Sequence, residues 1–348
     1  MNKIAQYLQS HLVGEVLTSA RARKFFATDA SILQQLPTVV IYPRNTSDVR
    51  KIARFCWQLA EKGHVLPITA RGRGSDVTGA AIGGGAIVVF PAHMNRLLEL
   101  DTKQGLFRVQ AGMGFRSLQD VLHSHGLFLP AYPSSIDYAS IGGAIANNSG
   151  GEKSVKYGVM RDFVQNLEVV LANGDLIQTS RITARELSHK KGLDTFEGEI
   201  YRQIDNIVTD NEKLLRELST NNLLTKNATG YGLEFVKRKN GSFDLTPLFV
   251  GSQGTLGMVV EAIIAAEVHN PKTSLIVLSC SDYEDLQDVV TDIKKLDPSA
   301  IEMLDRSLLK LPCKLIKMLH HLLLLMPSHK LYCLLNSMTT VNASRVLR

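Results

Sequence analysis

Cysteine is scarce in this chain, and its spacing excludes several kinds of site. The 348 residues include 4 Cys, and Cys56, Cys280, Cys313 and Cys333 lie far apart, so that no CxxC pair occurs. Zinc and iron–sulfur sites built from such pairs are therefore not expected, nor is a small disulfide-stapled domain. We predict no metal site.

Long apolar runs are also absent. The N-terminal sequence MNKIAQYLQSHLVGE has the spacing of a short amphipathic helix and lacks the continuous apolar stretch of a signal peptide. In the C-terminal part, the longest apolar run covers residues 322–326, whereas a membrane span requires about 18 residues or more. We expect a cytoplasmic protein, and peripheral contact with the inner face of a membrane stays open.

Acidic residues are absent from the end of the chain. The formal net charge is +6, but no Asp or Glu occurs from Arg306 to Arg348, where seven Lys or Arg residues lie. The remainder is close to neutral and shows no basic face interleaved with aromatic residues, as a nucleic-acid-binding surface would. The charge therefore does not predict a nucleic-acid partner.

Glycine is absent after Gly257, and three glycine-containing segments before it share one composition. We call residues 71–79, 140–151 and 251–257 the first, second and third glycine segments; each joins Gly to Ser, Thr or Asn. Glycine permits positive φ and close backbone approach, so successive N–H groups can form an anion-binding nest. Three such segments beside predicted strands indicate a long ligand that carries a pyrophosphate.

The order of predicted elements is typical of an α+β fold rather than an even βαβ series. Asn173–Gly174 between two apolar runs predicts a hairpin turn. Predicted strands cover residues 39–42, 65–69, 86–90, 107–111, 167–171, 176–179, 258–266, 274–279 and 301–304, and predicted helices cover 46–60, 115–125, 196–218 and 282–296.

Four stretches of the sequence resemble the FAD-binding domain of the vanillyl-alcohol-oxidase (PCMH) type, in the branch that contains glycolate oxidases and D-lactate dehydrogenases. YPRNTSDVRKIARFC resembles the opening strand and helix, and RGRGSDVTG resembles the RGxGTxxxG pyrophosphate loop. PSSIDYASIGGAIANNSGGEKSVKYG resembles the second flavin loop, and GSQGTLGMVVEA resembles the GSEGTLGIVTEA signature. Gln253 stands where the family usually has Glu.

The resemblance implies an α+β chain with a two-subdomain PCMH-type FAD-binding domain and a partial α+β cap domain. A helical lead-in would cover residues 1–36, and the FAD-binding domain would cover 37–267. The start of the cap domain would cover 268–310. Residues 311–348 form an atypical basic, Leu-rich tail.

The resemblance also assigns parts of FAD to the glycine segments. Backbone N–H groups of residues 71–76 and 140–143 would hold the pyrophosphate. Residues 146–148 and Gly150 would lie near the flavin ring, and residues 254–259 would line the ring and the adenine side. The candidate cofactor-binding residues are Arg71, Gly72, Arg73, Gly74, Ser75, Asp76, Pro133, Ser134, Ser140, Ile141, Gly142, Gly143, Ala146, Asn147, Asn148, Gly150, Gly254, Gly257 and Val259.

Relatives with covalently bound flavin carry a His in the first segment, whereas this chain has Ser75 and Asp76 there. We therefore expect non-covalent FAD. The activity implied is oxidation of a 2-hydroxy acid of the D-lactate or glycolate type by hydride transfer to flavin N5. The electron acceptor stays open between quinone, oxygen and an iron–sulfur protein.

No catalytic residue is assigned, because the family motif near HGDGNLH, which supplies the base and any metal ligands, does not occur. His320 and His321 are adjacent and so point in different directions. We expect a truncated enzyme, and its activity as a fragment stays open. The alternative is a FAD-binding module that needs a separate cap polypeptide for turnover. A reductase of the cell-wall UDP-sugar type shares the fold, but nothing in the sequence supports it.

The Leu-rich tail has two explanations. One is a reading frame interrupted near residues 310–312, after which the sequence carries neither acidic residues nor glycine. The other is a basic amphipathic helix over residues 315–326 that docks on a membrane or a partner. We favour the interruption.

Overall fold

The computed structural model describes residues 3–221, 224–280, 283–305 and 331–337. Two compact units divide the chain: Met1–Ser149 with Val159–Val268, and Gly150–Gly158 with His269–Arg348. The helices are α1 (Lys3–His11), α2 (Ala20–Phe25), α3 (Thr46–Glu61), α4 (Phe115–Ser124), α5 (Ile141–Ala146), α6 (Ser154–Tyr157), α7 (Met160–Phe163), α8 (Ala184–Lys191), α9 (Phe196–Asp210), α10 (Glu212–Asn221), α11 (Thr246–Phe249) and α12 (Tyr283–Lys294). The strands are β1 (Glu15–Leu17), β2 (Val39–Tyr42), β3 (Ile68–Arg71), β4 (Ala86–Val89), β5 (Leu97–Asp101), β6 (Leu106–Gln110), β7 (Leu127–Phe128), β8 (Val164–Val170), β9 (Leu176–Thr179), β10 (Met258–Ala265), β11 (Glu267–Val268), β12 (Ser274–Cys280), β13 (Ala300–Asp305) and β14 (Leu331–Ser337).

The first unit contains a four-stranded sheet in the order β1-β2-β4-β3. Strands β2 and β3 each pair in parallel with β4, and β1 pairs antiparallel with β2. The central strands are apolar throughout because both faces of a parallel sheet are buried. Helix α3 packs on this sheet through buried residues that include Ile52 and Cys56. Burial raises the pKa of the Cys56 thiol to about 12, so this thiol stays protonated and behaves as a core residue.

The first unit also contains a five-stranded antiparallel sheet in the order β5-β6-β10-β8-β9. Buried residues alternate with partly exposed ones along β10 because only one face of this sheet meets the core. The predicted hairpin is confirmed: β8 and β9 pair antiparallel, and Gly174 in their turn has a φ of 85°.

The N-terminal lead-in is not wholly helical, contrary to the expectation. Strand β1 lies between α1 and α2 and adds an edge to the first sheet. Asp48, at the start of α3, fixes this edge because its carboxylate accepts hydrogen bonds from the N–H groups of Val13 (3.0 Å), Gly14 (2.9 Å) and Arg44 (3.0 Å). A three-residue strand has no sequence period that would distinguish it from the flanking helices.

Other boundaries differ from the predictions for identifiable reasons. Strand β3 begins at Ile68 instead of Val65, since Pro67 has no N–H to donate to a ladder. Strand β5 was not predicted because it is a largely exposed edge without strict alternation. The predicted helix over residues 196–218 is divided at Asn211 into α9 and α10. The second glycine segment contains the short helix α5, where a loop was expected.

The second unit contains a three-stranded antiparallel sheet in the order β12-β14-β13. Helix α12 packs Leu286 and Ile293 against Ile276, Leu278 and Ile301. Strand β14 belongs to the Leu-rich tail, whereas the helix predicted over residues 315–326 and the interruption predicted at 310–312 lie outside the described residues. Within the described ranges, no helix is long and apolar enough to cross a membrane.

Candidate functional site

The three glycine segments meet at one cavity in the first unit. The cavity contains about 990 Å³ of empty space, including the part open to solvent. The end of β3 and the loop after it, helix α5 with its N-cap, and the turn before β10 supply most of its lining. Among the predicted residues, the lining includes Arg71, Gly72, Arg73, Gly74, Ser75, Asp76, Pro133, Ser140, Gly142, Gly143, Ala146, Asn147, Gly254, Gly257 and Val259, but not Ser134, Ile141, Asn148 or Gly150.

Side-chain hydrogen bonds join the three segments across the cavity. The Asn147 amide nitrogen donates to Asp76 Oδ1 at 3.0 Å. The Gln253 amide nitrogen donates to Asn147 Oδ1 at 3.4 Å, and the Gln253 backbone N–H donates to the Ala146 carbonyl at 3.0 Å. One amide side chain of the second segment therefore connects the first segment with the third.

Asp76 closes the first segment upon itself. Its carboxylate accepts from the Thr78 N–H (2.8 Å), the Thr78 hydroxyl (2.7 Å) and the Ala80 N–H (2.9 Å), in addition to Asn147. Burial raises the pKa of Asp76, but these hydrogen bonds outweigh burial and hold the pKa below its usual value. Asp76 is thus an ionised structural group of the loop, poorly suited to accept a proton.

Three consecutive residues of the first segment that line the cavity have backbone N–H groups that are unpaired among the described residues. In the part of the chain that the structure describes, no group accepts a hydrogen bond from the N–H of Arg73, Gly74 or Ser75. Gly74 has a φ of 75°, which a glycine adopts without steric cost. Consecutive unpaired N–H groups around a left-handed residue are the arrangement that binds an anion.

The second segment uses its N–H groups differently from the expectation. The Ile141 N–H donates to the Met113 carbonyl (2.9 Å) and the Gly142 N–H donates to the Ala111 carbonyl (2.7 Å). These bonds seat α5 on the end of β6, so neither N–H is available to a pyrophosphate. The Gly143 N–H is also engaged, since it donates to the capping hydroxyl of Ser140 at 3.2 Å.

Glycine at two of these positions allows the close approach of neighbouring backbone. A Cβ on Gly142 would lie 2.8 Å from the Ala111 Cβ and 2.9 Å from the Ala111 carbonyl oxygen. A Cβ on Gly72 would collide with the Ser140 hydroxyl. The first segment, α5 and the end of β6 can therefore meet at the cavity only because these positions lack side chains.

The Arg71 guanidinium lies beside Gly74, where a Cβ would collide with it, but it is buried and donates to backbone carbonyls. Only 6% of Arg71 is exposed, and its guanidinium donates to the carbonyls of Ala81 (3.0 Å) and Thr28 (3.0 Å). The guanidinium also lies 5.1 Å from the centre of the Phe26 ring. Desolvation lowers the pKa of Arg71. Arg71 thus clamps the first segment to the N-terminal lead-in.

Arg73 is the more accessible cation of the pair. It is exposed, and its Nη1 donates to the Asp137 carbonyl at 3.2 Å. This contact places the Arg73 guanidinium over Gly114, where a Cβ would collide with it. Arg73 is therefore an exposed cation whose own backbone N–H is one of the unpaired donors of the first segment.

Sequence reasoning missed several residues that line the cavity, some inside the second and third glycine segments and the others outside all three. Many of them are small residues that flank the segments, and two lie where strands β4 and β6 end. Phe90 and Ala111 could have been identified from the sequence, because ligands in α/β folds often bind where strands end. The missed lining residues are Ala70, Ala80, Ala81, Phe90, Ala111, Ser135, Ala139, Ala144, Ser149, Phe249, Ser252 and Gln253.

The cavity fits an extended ligand with a diphosphate, because it combines open backbone donors, a nearby cation and small lining residues. Residues 37–180 match the family described as FAD binding domain. This part of the chain belongs to that family, the PCMH-type FAD-binding domains, and FAD is its cofactor.

The chain is similar to enzymes that act on 2-hydroxy acids. D-2-hydroxyglutarate dehydrogenase of Pantoea ananatis (strain AJ13355) is 35% identical over 250 residues, which cover 72% of this chain and 24% of that protein. Glycolate oxidase subunit GlcD of Bacillus subtilis (strain 168) is 35% identical over 280 residues, which cover 78% of this chain and 46% of that protein. The chain spans less than half the length of either relative.

The fold is similar to that of a solved structure of alkyldihydroxyacetonephosphate synthase. The TM-score is 0.65 at 15% sequence identity, and the match covers 97% of this chain and 56% of that chain. The predicted α+β class with a PCMH-type FAD-binding domain is therefore confirmed.

Proposed function

We propose that this chain is the FAD-binding part of an oxidoreductase that oxidises a 2-hydroxy acid of the D-2-hydroxyglutarate, D-lactate or glycolate type. The observation that carries the proposal is the convergence of three glycine segments on one cavity with open backbone donors. The relatives named for D-2-hydroxyglutarate and glycolate support the substrate class. When bound, FAD supplies the redox chemistry by accepting a hydride at its N5 atom.

The first segment holds the diphosphate in this proposal. The N–H groups of Arg73, Gly74 and Ser75 donate to its oxygens, and the Arg73 guanidinium offsets its charge. The second and third segments shape the cavity for the remainder of the cofactor. Binding is non-covalent, because no His, Cys or Tyr occurs among the described residues that line the cavity.

Conversion of a 2-hydroxy acid to the 2-oxo acid removes a hydride from C2 and a proton from the hydroxyl group, so a proton acceptor is needed. Among the described lining residues, the only carboxylate belongs to Asp76, which is engaged in the hydrogen bonds of the loop. This observation favours a second candidate function: a FAD-binding module that turns over only with a separate cap polypeptide. The acceptor that reoxidises the flavin would be a quinone, oxygen or an iron–sulfur protein.

Flavin extraction and anaerobic reduction test both candidates. We expect the purified chain, loaded with FAD, to release the cofactor on acid precipitation, as a non-covalent complex must. Bleaching of the flavin absorption by D-2-hydroxyglutarate, D-lactate or glycolate would support the enzyme, and bound FAD without bleaching would support the module. Failure to bind FAD would contradict both.

A further inference from the structure

A segment outside the cavity lining is tied to the glycine segments. We call residues 224–235 the strap. The Asn227 carbonyl of the strap accepts hydrogen bonds from the Asn148 amide nitrogen at 3.0 Å and from Arg161 Nη2 at 3.2 Å. The Arg161 backbone N–H in turn donates to Asn148 Oδ1 at 2.9 Å. One strap carbonyl, Asn148 and Arg161 thus form a closed set of contacts.

Asn148 is held in an uncommon backbone conformation by these contacts. Its φ is 46°, in the left-handed region that non-glycine residues rarely adopt. It lies between Asn147 and Ser149, which both line the cavity. A change in the position of Asn148 would therefore displace Asn147, which carries the hydrogen bond to Asp76.

A second attachment joins the strap to the third segment. The hydroxyl groups of Tyr231 and Thr255 lie 2.9 Å apart, and the Thr255 hydroxyl donates its hydrogen to the Ser252 carbonyl at 2.6 Å. Tyr231 must therefore be the donor to Thr255, since a hydroxyl group has one hydrogen. Thr255 directly follows Gly254, which lines the cavity.

A third attachment is the stacking of Arg161 on the strap. The guanidinium lies 4.4 Å from the centre of the Phe235 ring, and a Cβ on Gly232 would lie 2.8 Å from Arg161 Nη1. Burial lowers the pKa of Arg161, in keeping with a cation enclosed by the strap. Arg161 therefore contacts the strap through both its charge and its planar face.

We infer that the strap fixes the second and third glycine segments around the FAD cavity, and that Arg161 and Tyr231 are positioning residues for cofactor binding. This inference rests on the proposed function. Tyr231 is 46% exposed, so its burial contributes little to folding. The Tyr231 hydroxyl reaches Thr255 and the Arg161 backbone N–H reaches Asn148, and both partners are chain neighbours of lining residues. The Arg161 guanidinium holds the strap through the Asn227 carbonyl, which also accepts from the Asn148 side chain.

The substitution Tyr231→Phe tests the attachment to the third segment. It removes one hydroxyl donor and retains the ring, so the FAD dissociation constant should rise about twofold to tenfold, as expected for one hydrogen bond. The absorption envelope of the bound flavin should also shift. The matched control is Tyr7→Phe, since Tyr7 is 45% exposed and lies in α1. Its FAD affinity should equal that of the unchanged protein.

Two substitutions at Arg161 test how its side chain holds the strap, whose Asn227 carbonyl also binds Asn148 of the second segment. Arg161→Gln should weaken FAD binding by about tenfold, because both the hydrogen bond to Asn227 and the stacking on Phe235 are lost. Arg161→Lys should restore part of the affinity, since it keeps the charge without the planar fork. Arg185→Gln, at an exposed position of α8, is the control and should leave binding unchanged.

Hydrogen exchange of the FAD-free protein separates this inference from the proposed function. In Tyr231→Phe and Arg161→Gln, peptides covering residues 140–151 and 251–257 should exchange faster, and peptides from the β5–β6 hairpin should not change. Unaltered exchange in these peptides together with unaltered FAD affinity would overturn the inference. If the unchanged chain takes up no FAD, the proposed function fails, and the exchange result alone still decides whether the strap holds the segments.

Discussion

The first and second glycine segments have similar compositions and use their glycines in different ways. In the first segment, Gly74 takes a positive φ and neighbouring N–H groups stay unpaired beside the cavity. In the second, Gly142 allows α5 to approach Ala111, and its N–H is consumed in that contact. A glycine-rich stretch can thus provide backbone donors that bind a ligand, or it can allow the close packing that shapes the ligand's site.

The largest expected effect concerns packing in the second segment. Gly142→Val should lower the free energy of unfolding by about 3 kcal/mol, because its side chain would overlap Ala111 and unseat α5. Chemical denaturation measures this loss. Gly143→Val is the matched control: a Cβ there would meet only the Ser140 hydroxyl, at 3.2 Å, so a smaller loss is expected. Equal losses at both positions would show that close approach is not the reason for Gly142.

A smaller effect separates the two arginines of the first segment. Arg71→Met should lower the free energy of unfolding by about 2 kcal/mol, because the carbonyls of Thr28 and Ala81 lose the guanidinium that donates to them. Arg73→Met should change stability by no more than about 0.5 kcal/mol and should instead weaken FAD binding, most clearly at low salt. Denaturation curves and FAD titrations of both variants check the contrast. A stability loss for Arg73→Met with unchanged FAD affinity would contradict the proposal that the Arg73 guanidinium offsets the charge of the diphosphate.

The unpaired donors of the first segment provide a third test. Gly74→Ala should cost at least about 1 kcal/mol of folding free energy, because alanine is strained at positive φ and its Cβ would collide with the buried Arg71 guanidinium. FAD affinity should also fall under conditions where the variant is fully folded, because the N–H groups of Arg73 and Ser75 would reorient. Isothermal titration with FAD measures this. Retention of full affinity would mean that the nest does not hold the diphosphate.

The smallest expected effect is a pH dependence that arises from Asp76. Its pKa is lowered in the folded protein, so its ionised form stabilises the loop above the usual Asp pKa. This contribution is lost as the pH falls through the lower pKa of the folded state. FAD retention should therefore decline on acidification, and less so in Asp76→Asn. The same acid-induced release in both proteins would assign the pH dependence to another group.

Much of the framework was predictable from sequence because its signals are local. The β-branched run of β2, the Asn173–Gly174 turn and the apolar spacing of α3 each depend on residues within one element. The edge strands β1 and β5 were missed, since an exposed or very short strand has no period that distinguishes it. The Leu-rich tail beyond β13 is described only at β14, so its two explanations remain predictions.

At the cavity, the sequence alone determined that three glycine segments follow or precede strands and that the family is a FAD-binding one. Only the tertiary structure decided which N–H groups remain open, that Arg71 is buried while Arg73 is exposed, and that the strap contacts Asn148 and Thr255. The physical reason is that each of these outcomes depends on a partner distant in the chain. The hydrogen bonds that link Gln253, Asn147 and Asp76 join segments that meet only after folding.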